Sequence, residues 1–256
     1  MKKLLLALLL PCVAQAQQST ERIGKFVTLG DPPATATGKR AECPPEMALI
    51  DGKFCIDRYE ASLVEIGAQG ETPWAPNREP KGVKVRAISA AGYLPQGYIS
   101  GIQSKAACEA SGKRLCAPAE WMRACEGAAK TLYPHGNSYA EGDCNDARVK
   151  GPGVVAEACK CKPKYDDKDL MNPAINLLPN TLRPNGDAKY SKCVSAEGVF
   201  NLVGSLHEWL DDPKGTFAGG YYQDIKLNGL GCRYRTTAHD VGHRDYSTGF
   251  RCCKPL

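Results

Sequence analysis

These 256 residues point to an α+β fold, poor in regular secondary structure, with long disulfide-linked loops. Three features lead there. Strand-like runs are short and scattered, and only two stretches carry helical periodicity. Residues 131–198 are rich in Gly, Pro, Asn, Asp and Lys, and loops of that length are uncommon unless functional or cross-linked. The chain has 13 cysteines, and four of them (Cys144, Cys159, Cys161 and Cys193) fall in that irregular stretch.

The chain starts with Lys2 and Lys3, the apolar run "LLLALLLPCVA", and small residues at Ala14 and Ala16. That pattern is a signal peptide over 1–16, cleaved near Ala16. The run is too short for a membrane span, and no later segment is long and apolar enough for one. Cys12 would be a lipid anchor only with a small residue in place of Pro11. A secreted or periplasmic location follows. Residues 17–42, with "GDPPATATGKRAE", have linker composition.

One domain is expected over 43–256. In "MALIDGKFCIDRYEAS", Asp51-Gly52 separates two apolar runs, a hairpin signal. Cys43 and Cys55 flank it and are placed to bridge it. Residues 67–82 read as a polar loop, and "VKVRAIS" (83–89) as a strand. A helix is expected near 101–111, with Ile102, Ala106, Ala107 and Ala110 on its buried face and Gly112 as its stop. A second begins at Pro118 and Glu120, buries Trp121, Ala124 and Cys125, and ends at Gly127. Short strands are expected in "GTFAGGYYQD", "CRYRTTAH" and "STGFRCC".

Charge and cysteine usage narrow the classes. Without Lys2 and Lys3 the chain has 31 basic residues against 28 acidic ones, a net charge of +3. That is too small to imply a nucleic-acid partner. Losing Cys12 leaves 12 cysteines, an even number that suits pairing in an oxidising compartment. A zinc site is the alternative use of such thiols, but Cys159-x-Cys161 has no second pair or His at finger spacing.

The stretch "GVFNLVGSLHEWLDD" (198–212) carries a charge inside an apolar run. Asn201 and Glu208 offer side-chain oxygens, and Gly204 and Leu206 can offer carbonyls. Oxygen-only ligands with a carboxylate suit a hard cation such as Ca²⁺. A buried Glu208 needs a counter-charge, so either a cation or an arginine must meet it.

The same stretch resembles the Asn-x-x-Gly-Asn-x-x-Glu-Trp segment of the formylglycine-generating, sulfatase-modifying-factor family. "FCIDRYEAS", "CEASGKRLCAPAEWMRACEG" and "AGGYYQD…CRYRTTAH…STGFRCC" resemble three further family segments in the same order, together spanning roughly 53–253. The resemblance implies a C-type-lectin-like fold. It implies structural calcium held by Asn201, Gly204, Leu206 and Glu208, and a second calcium site beginning at Asn145. It also implies a Cys108–Cys252 disulfide. Cys125 matches half of a second bridge whose usual partner position is Thr236, and Cys232 lies close enough to replace it. Cys116 and Cys253 remain as a further pair.

Active family members bind copper through two cysteines that follow a Gly-Gly-Ser. Here Tyr221 stands for that Ser, Asp224 for the first cysteine and Gly231 for the second, with Cys232 one residue on. Copper is therefore not expected. Tyr221, Tyr222, Arg233, Arg235 and His239 would line the family cleft. Arg233 and Arg235, two apart on a strand, would share a face and favour an anionic ligand, or else serve as ion-pair partners of Glu208 or Asp211. The expected function is an exported, formylglycine-generating-enzyme-like domain lacking the copper cysteines, a non-catalytic binding or envelope-associated module. Its ligand is an unidentified peptide, protein or small molecule. The alternative is a metal-dependent oxidoreductase with a non-standard site: Cys232, His239 and His243, with Asp240 or Asp245 and Arg235 nearby. A lectin-like glycan reading rests on fold analogy alone.

Overall fold

The computed structural model describes residues 42–148, 153–160 and 166–256, all within one compact unit, Ala41–Leu256. The leader at 1–16 and the linker, apart from Glu42, lie outside the described residues, as does Cys161. Strands β1 (Met47–Ile50) and β2 (Phe54–Asp57) form the first hairpin. Its turn needs left-handed φ at Asp51 (52°) and Gly52 (66°), which Asp tolerates and Gly adopts freely.

Next come β3 (Ser62–Gly67), β4 (Gly70–Pro73) and β5 (Val85–Ile88), a separate three-stranded sheet in the order β4-β3-β5. The sequence reading gave residues 67–82 as loop, so β4 corrects it. All four residues of β4 are exposed. An edge strand that buries nothing shows no alternation of apolar residues.

Helix α1 (Gly101–Ala110) starts at a capping box, in which Ser100 Oγ accepts the Gln103 N–H and the Gln103 side chain accepts the Ser100 N–H. Its buried face is Gly101, Ser104, Ala107 and Cys108, while Ile102 is 61% exposed. That corrects the face centred on Ile102. Helix α1 packs closely there, since a Cβ at 101 would lie 3.3 Å from the Trp209 ring, and Cys108 is tied inward by its bond to Cys252. Close approach and a covalent tie outweigh the apolar surface of one isoleucine.

After β6 (Arg114–Leu115), α2 (Pro118–Glu126) buries Trp121, Ala124 and Cys125. Residues 131–198 hold only α3 (Val154–Cys159), α4 (Asp167–Leu170) and single 3₁₀ turns among the described residues. Cys144–Cys193 braces this region.

The closing elements are β7 (His207–Trp209), β8 (Phe217–Ala218), β9 (Arg235–Thr236), β10 (Thr248–Phe250) and β11 (Cys252–Pro255). They build two four-stranded sheets, β1-β2-β11-β6 and β10-β7-β8-β9. Strand β7 is interior, parallel to β10 and antiparallel to β8. The chain is thus mixed α/β with few helices, mostly sheet and loop. Five disulfides are present among the described residues: Cys43–Cys55, Cys108–Cys252, Cys116–Cys253, Cys125–Cys232 and Cys144–Cys193.

Candidate functional site

Alternation along a strand sends successive side chains to opposite faces. In β7 this places His207 and Trp209 on one face and Glu208 on the other. All three are buried because both faces are covered, by Trp121 and Arg251 over Glu208 and by Phe217, Tyr221 and Tyr234 around His207 and Trp209.

On the Glu208 face a fully buried arginine supplies the counter-charge. Arg251 Nε donates to Glu208 Oε2 at 2.6 Å, and Arg251 Nη2 donates to Oε1 at 2.6 Å. Trp121 Nε1 adds a third bond to Oε2 at 2.7 Å. The remaining guanidinium protons reach backbone carbonyls, Asp57 at 3.1 Å and Phe200 at 2.9 Å. Desolvation opposes the charged guanidinium, yet the pull of Glu208 and its hydrogen bonds outweigh that, and the Arg251 pKa is raised. Neither Arg233 nor Arg235 fills this role.

Two more acids share this core. Asp57 accepts Lys113 Nζ at 2.6 Å and the Cys252 N–H at 3.1 Å. Burial nonetheless raises its pKa, with Lys113 opposing. Glu60 is 1% exposed. Its Oε1 accepts the Leu206 N–H at 3.0 Å, and its Oε2 has no partner. Burial first, and then the charge of Glu208, push Glu60 up to about 8.

The approach to β7 is tightly turned. Asn201, Gly204 and Ser205 all have left-handed φ, at 56°, 78° and 59°. The Asn145 carbonyl accepts the Ser205 N–H at 2.8 Å, and Asn145 Nδ2 donates to the Thr181 carbonyl. Asn145 thus sits against the 201–208 loop. Glycine is required at 204, since a Cβ there would lie 2.4 Å from the Asn145 carbonyl oxygen.

The opposite face of β7 carries an aromatic and histidine cluster. His207 Nδ1 lies 3.2 Å from Ser247 Oγ and Nε2 lies 3.3 Å from the Tyr234 hydroxyl. Burial pushes its pKa down to about 4. His239 and His243 stack with ring centroids 3.7 Å apart and planes 13° apart. Stacking points their in-plane lone pairs along parallel planes, away from a common centre. Among the described residues no group of three or more His, Cys, Asp and Glu side chains is placed to hold a metal.

At the copper positions of the resembled family, the chain spends its groups otherwise. Cys232 is fully buried and bonded to Cys125. Asp224 Oδ1 accepts the Lys226 and Leu227 N–H groups, and Oδ2 accepts the Tyr234 hydroxyl at 3.0 Å. Arg233 lies in a 3₁₀ turn and pairs with Glu126 at 3.0 Å, whereas exposed Arg235 lies in β9. The two do not share a strand, which corrects the expected shared face. Arg235 instead lines an open groove of about 520 Å³ along α2 with Met122, Arg123 and Lys130. Asp211, the other suggested partner, pairs with Lys105 at 3.0 Å.

Sequence reasoning missed Arg251 and Glu60, and gave Trp121 only as a buried helix residue. The signal for Arg251 was present in "GFRCC", a charge inside an apolar run, the same oddity that marks Glu208.

No protein-family model matches the chain, and no curated protein matches it. Among solved structures it is similar to the P3c variant of the Major Tropism Determinant, at 16% identity and a TM-score of 0.46, over 83% of this chain and 53% of that one. It is similar to PvdO from Pseudomonas aeruginosa at 16% identity and a TM-score of 0.46, over 88% and 89%. Similarity to CarF is 16% identity and a TM-score of 0.47, over 79% and 86%. The chain thus spans about half the length of the tropism determinant.

Proposed function

We propose that this chain is an exported binding module resembling formylglycine-generating enzymes, braced by disulfides and a hard cation, that does not oxidise its ligand through paired thiolates. The observation that carries this reading is the buried Cys125–Cys232 bond. Copper(I) chemistry of the family kind needs soft thiolate ligands, and the sulfur at this position is committed to the backbone.

Calcium fits the opposite end of the hardness scale. Asn201 would offer its side-chain oxygen, and Gly204 and Leu206 their carbonyls. Three of the roughly four lone-pair positions of a carboxylate are used in Glu208, leaving one on Oε1. Bound there, the ion would supply positive charge to a core rich in acids and fix the turn before β7. The ligand surface we assign is the α2 groove, where Lys130 and Arg235 favour a carboxylate-bearing peptide or small molecule and Arg123 is held by Asp51 and Glu197.

Elemental analysis of the oxidatively folded, extensively dialysed protein tests the reading. Calcium at about one equivalent, with copper and iron below a tenth of one, is the expected result. Stoichiometric copper or iron that disappears in Cys232→Ser or His239→Ala would replace it with the oxidoreductase reading.

A further inference from the structure

Of the three acids in this core, Asp57 has Lys113 and Glu208 has Arg251. Glu60 has no base of its own, which leaves three acids against two bases. One Glu60 oxygen, Oε1, is fixed by the Leu206 N–H at 3.0 Å. The other, Oε2, is enclosed and unpartnered. An enclosed carboxyl oxygen with no partner is costly, and a cation beside it would supply one.

The position of Glu60 says where that partner belongs. Its Oε1 is held by the Leu206 N–H, in the same turn that carries the Gly204 and Leu206 carbonyls. Among the described residues no backbone N–H outside the regular ladders donates to either carbonyl. Glu208 contributes little net charge to a cation, because a bidentate guanidinium already neutralises it.

We infer that Glu60 is a ligand of the hard cation at the 201–208 loop and the carboxylate that carries most of its charge. Asn201, Gly204, Leu206 and Glu208 then offer four oxygens and Glu60 a fifth, with water completing the six to eight that calcium takes. This assignment rests on the calcium reading above. It changes which acid matters, Glu60 in place of Glu208.

Calorimetric titration of the EDTA-stripped, oxidised protein with CaCl₂, paired with thermal melting in EDTA and in excess calcium, tests it on Glu60→Gln. The amide keeps an acceptor for the Leu206 N–H and removes the unpaired charge. The variant is expected to bind calcium at least tenfold more weakly. It should melt in EDTA at or above the wild-type temperature and gain little from calcium, while the wild type gains several degrees. Should oxidised Glu60→Gln not fold, Glu60→Asp, which keeps the charge but withdraws the oxygen, is expected to show the same loss of affinity. Unchanged affinity, or an equal drop in melting temperature with and without calcium, overturns the role of Glu60 while the cation site stands. A wild type that binds no calcium overturns both.

Discussion

At the scale of single residues, burial decides which groups this molecule holds charged. His207 shows the consequence most directly. Its imidazole stays neutral down to about pH 4 in the folded chain, whereas an unfolded histidine takes its proton near 6.5. Between those values the unfolded state binds a proton that the folded state refuses, so stability falls as pH drops through the window. Denaturant unfolding of the wild type against His207→Gln is expected to show the wild type losing about 3 kcal/mol more between pH 6.5 and pH 4. Parallel profiles would mean the imidazole is hydrated in the fold. The site itself was partly legible at this scale. Glu208 announced itself as a charge in an apolar run, and the need for a counter-charge followed from physics alone. Which base met it did not follow, because Arg251 lies 43 residues away and only the pairing of β7 with β10 sets the two together.

Among the elements, turns with left-handed backbone fix the geometry more than the short strands do. Gly204 and Gly112 make a controlled pair. Gly112 has φ of 67° with open space where a Cβ would go, and Gly204 has φ of 78° with the Asn145 carbonyl oxygen 2.4 Å from that position. An alanine at 112 meets only the left-handed penalty, about 1 kcal/mol. An alanine at 204 must also displace backbone that is hydrogen-bonded to Ser205, and a loss of roughly 3 kcal/mol or more is expected. Urea midpoints of the two variants check this, and equal losses would mean that the 145 loop yields freely. Elements with a periodic signal and a chemical stop, such as α2 between Pro118 and Gly127, were readable in sequence. The buried face of α1 was not. It is set by a ring against Gly101 and a disulfide at Cys108, contacts that local periodicity does not contain.

For the whole molecule, thirteen cysteines made disulfide bracing legible as a class, and the fold as mixed, loop-rich α/β. Two of the bonds act as a unit. Cys108–Cys252 and Cys116–Cys253 both tie the α1–β6 region to β11, across separations of 144 and 137 residues. With one in place, the other closes a ring of only roughly ten residues, and chain entropy gives it about 3 kcal/mol. With both gone, the next closure runs through Cys125–Cys232, a ring of roughly forty residues, so restoring the first bond contributes about 4 kcal/mol and the pair about 7 kcal/mol. Each Cys→Ser pair is therefore expected to lose about 3 kcal/mol alone, and the quadruple variant should lose about 1 kcal/mol more than the two single losses added together. Urea unfolding of Cys108→Ser/Cys252→Ser, Cys116→Ser/Cys253→Ser and the combination, each under oxidising conditions, measures the difference. Simple additivity would show that the two staples restrain independent parts of the unfolded chain, and that β11 is anchored by its core packing against Trp209 and Phe250 more than by sulfur.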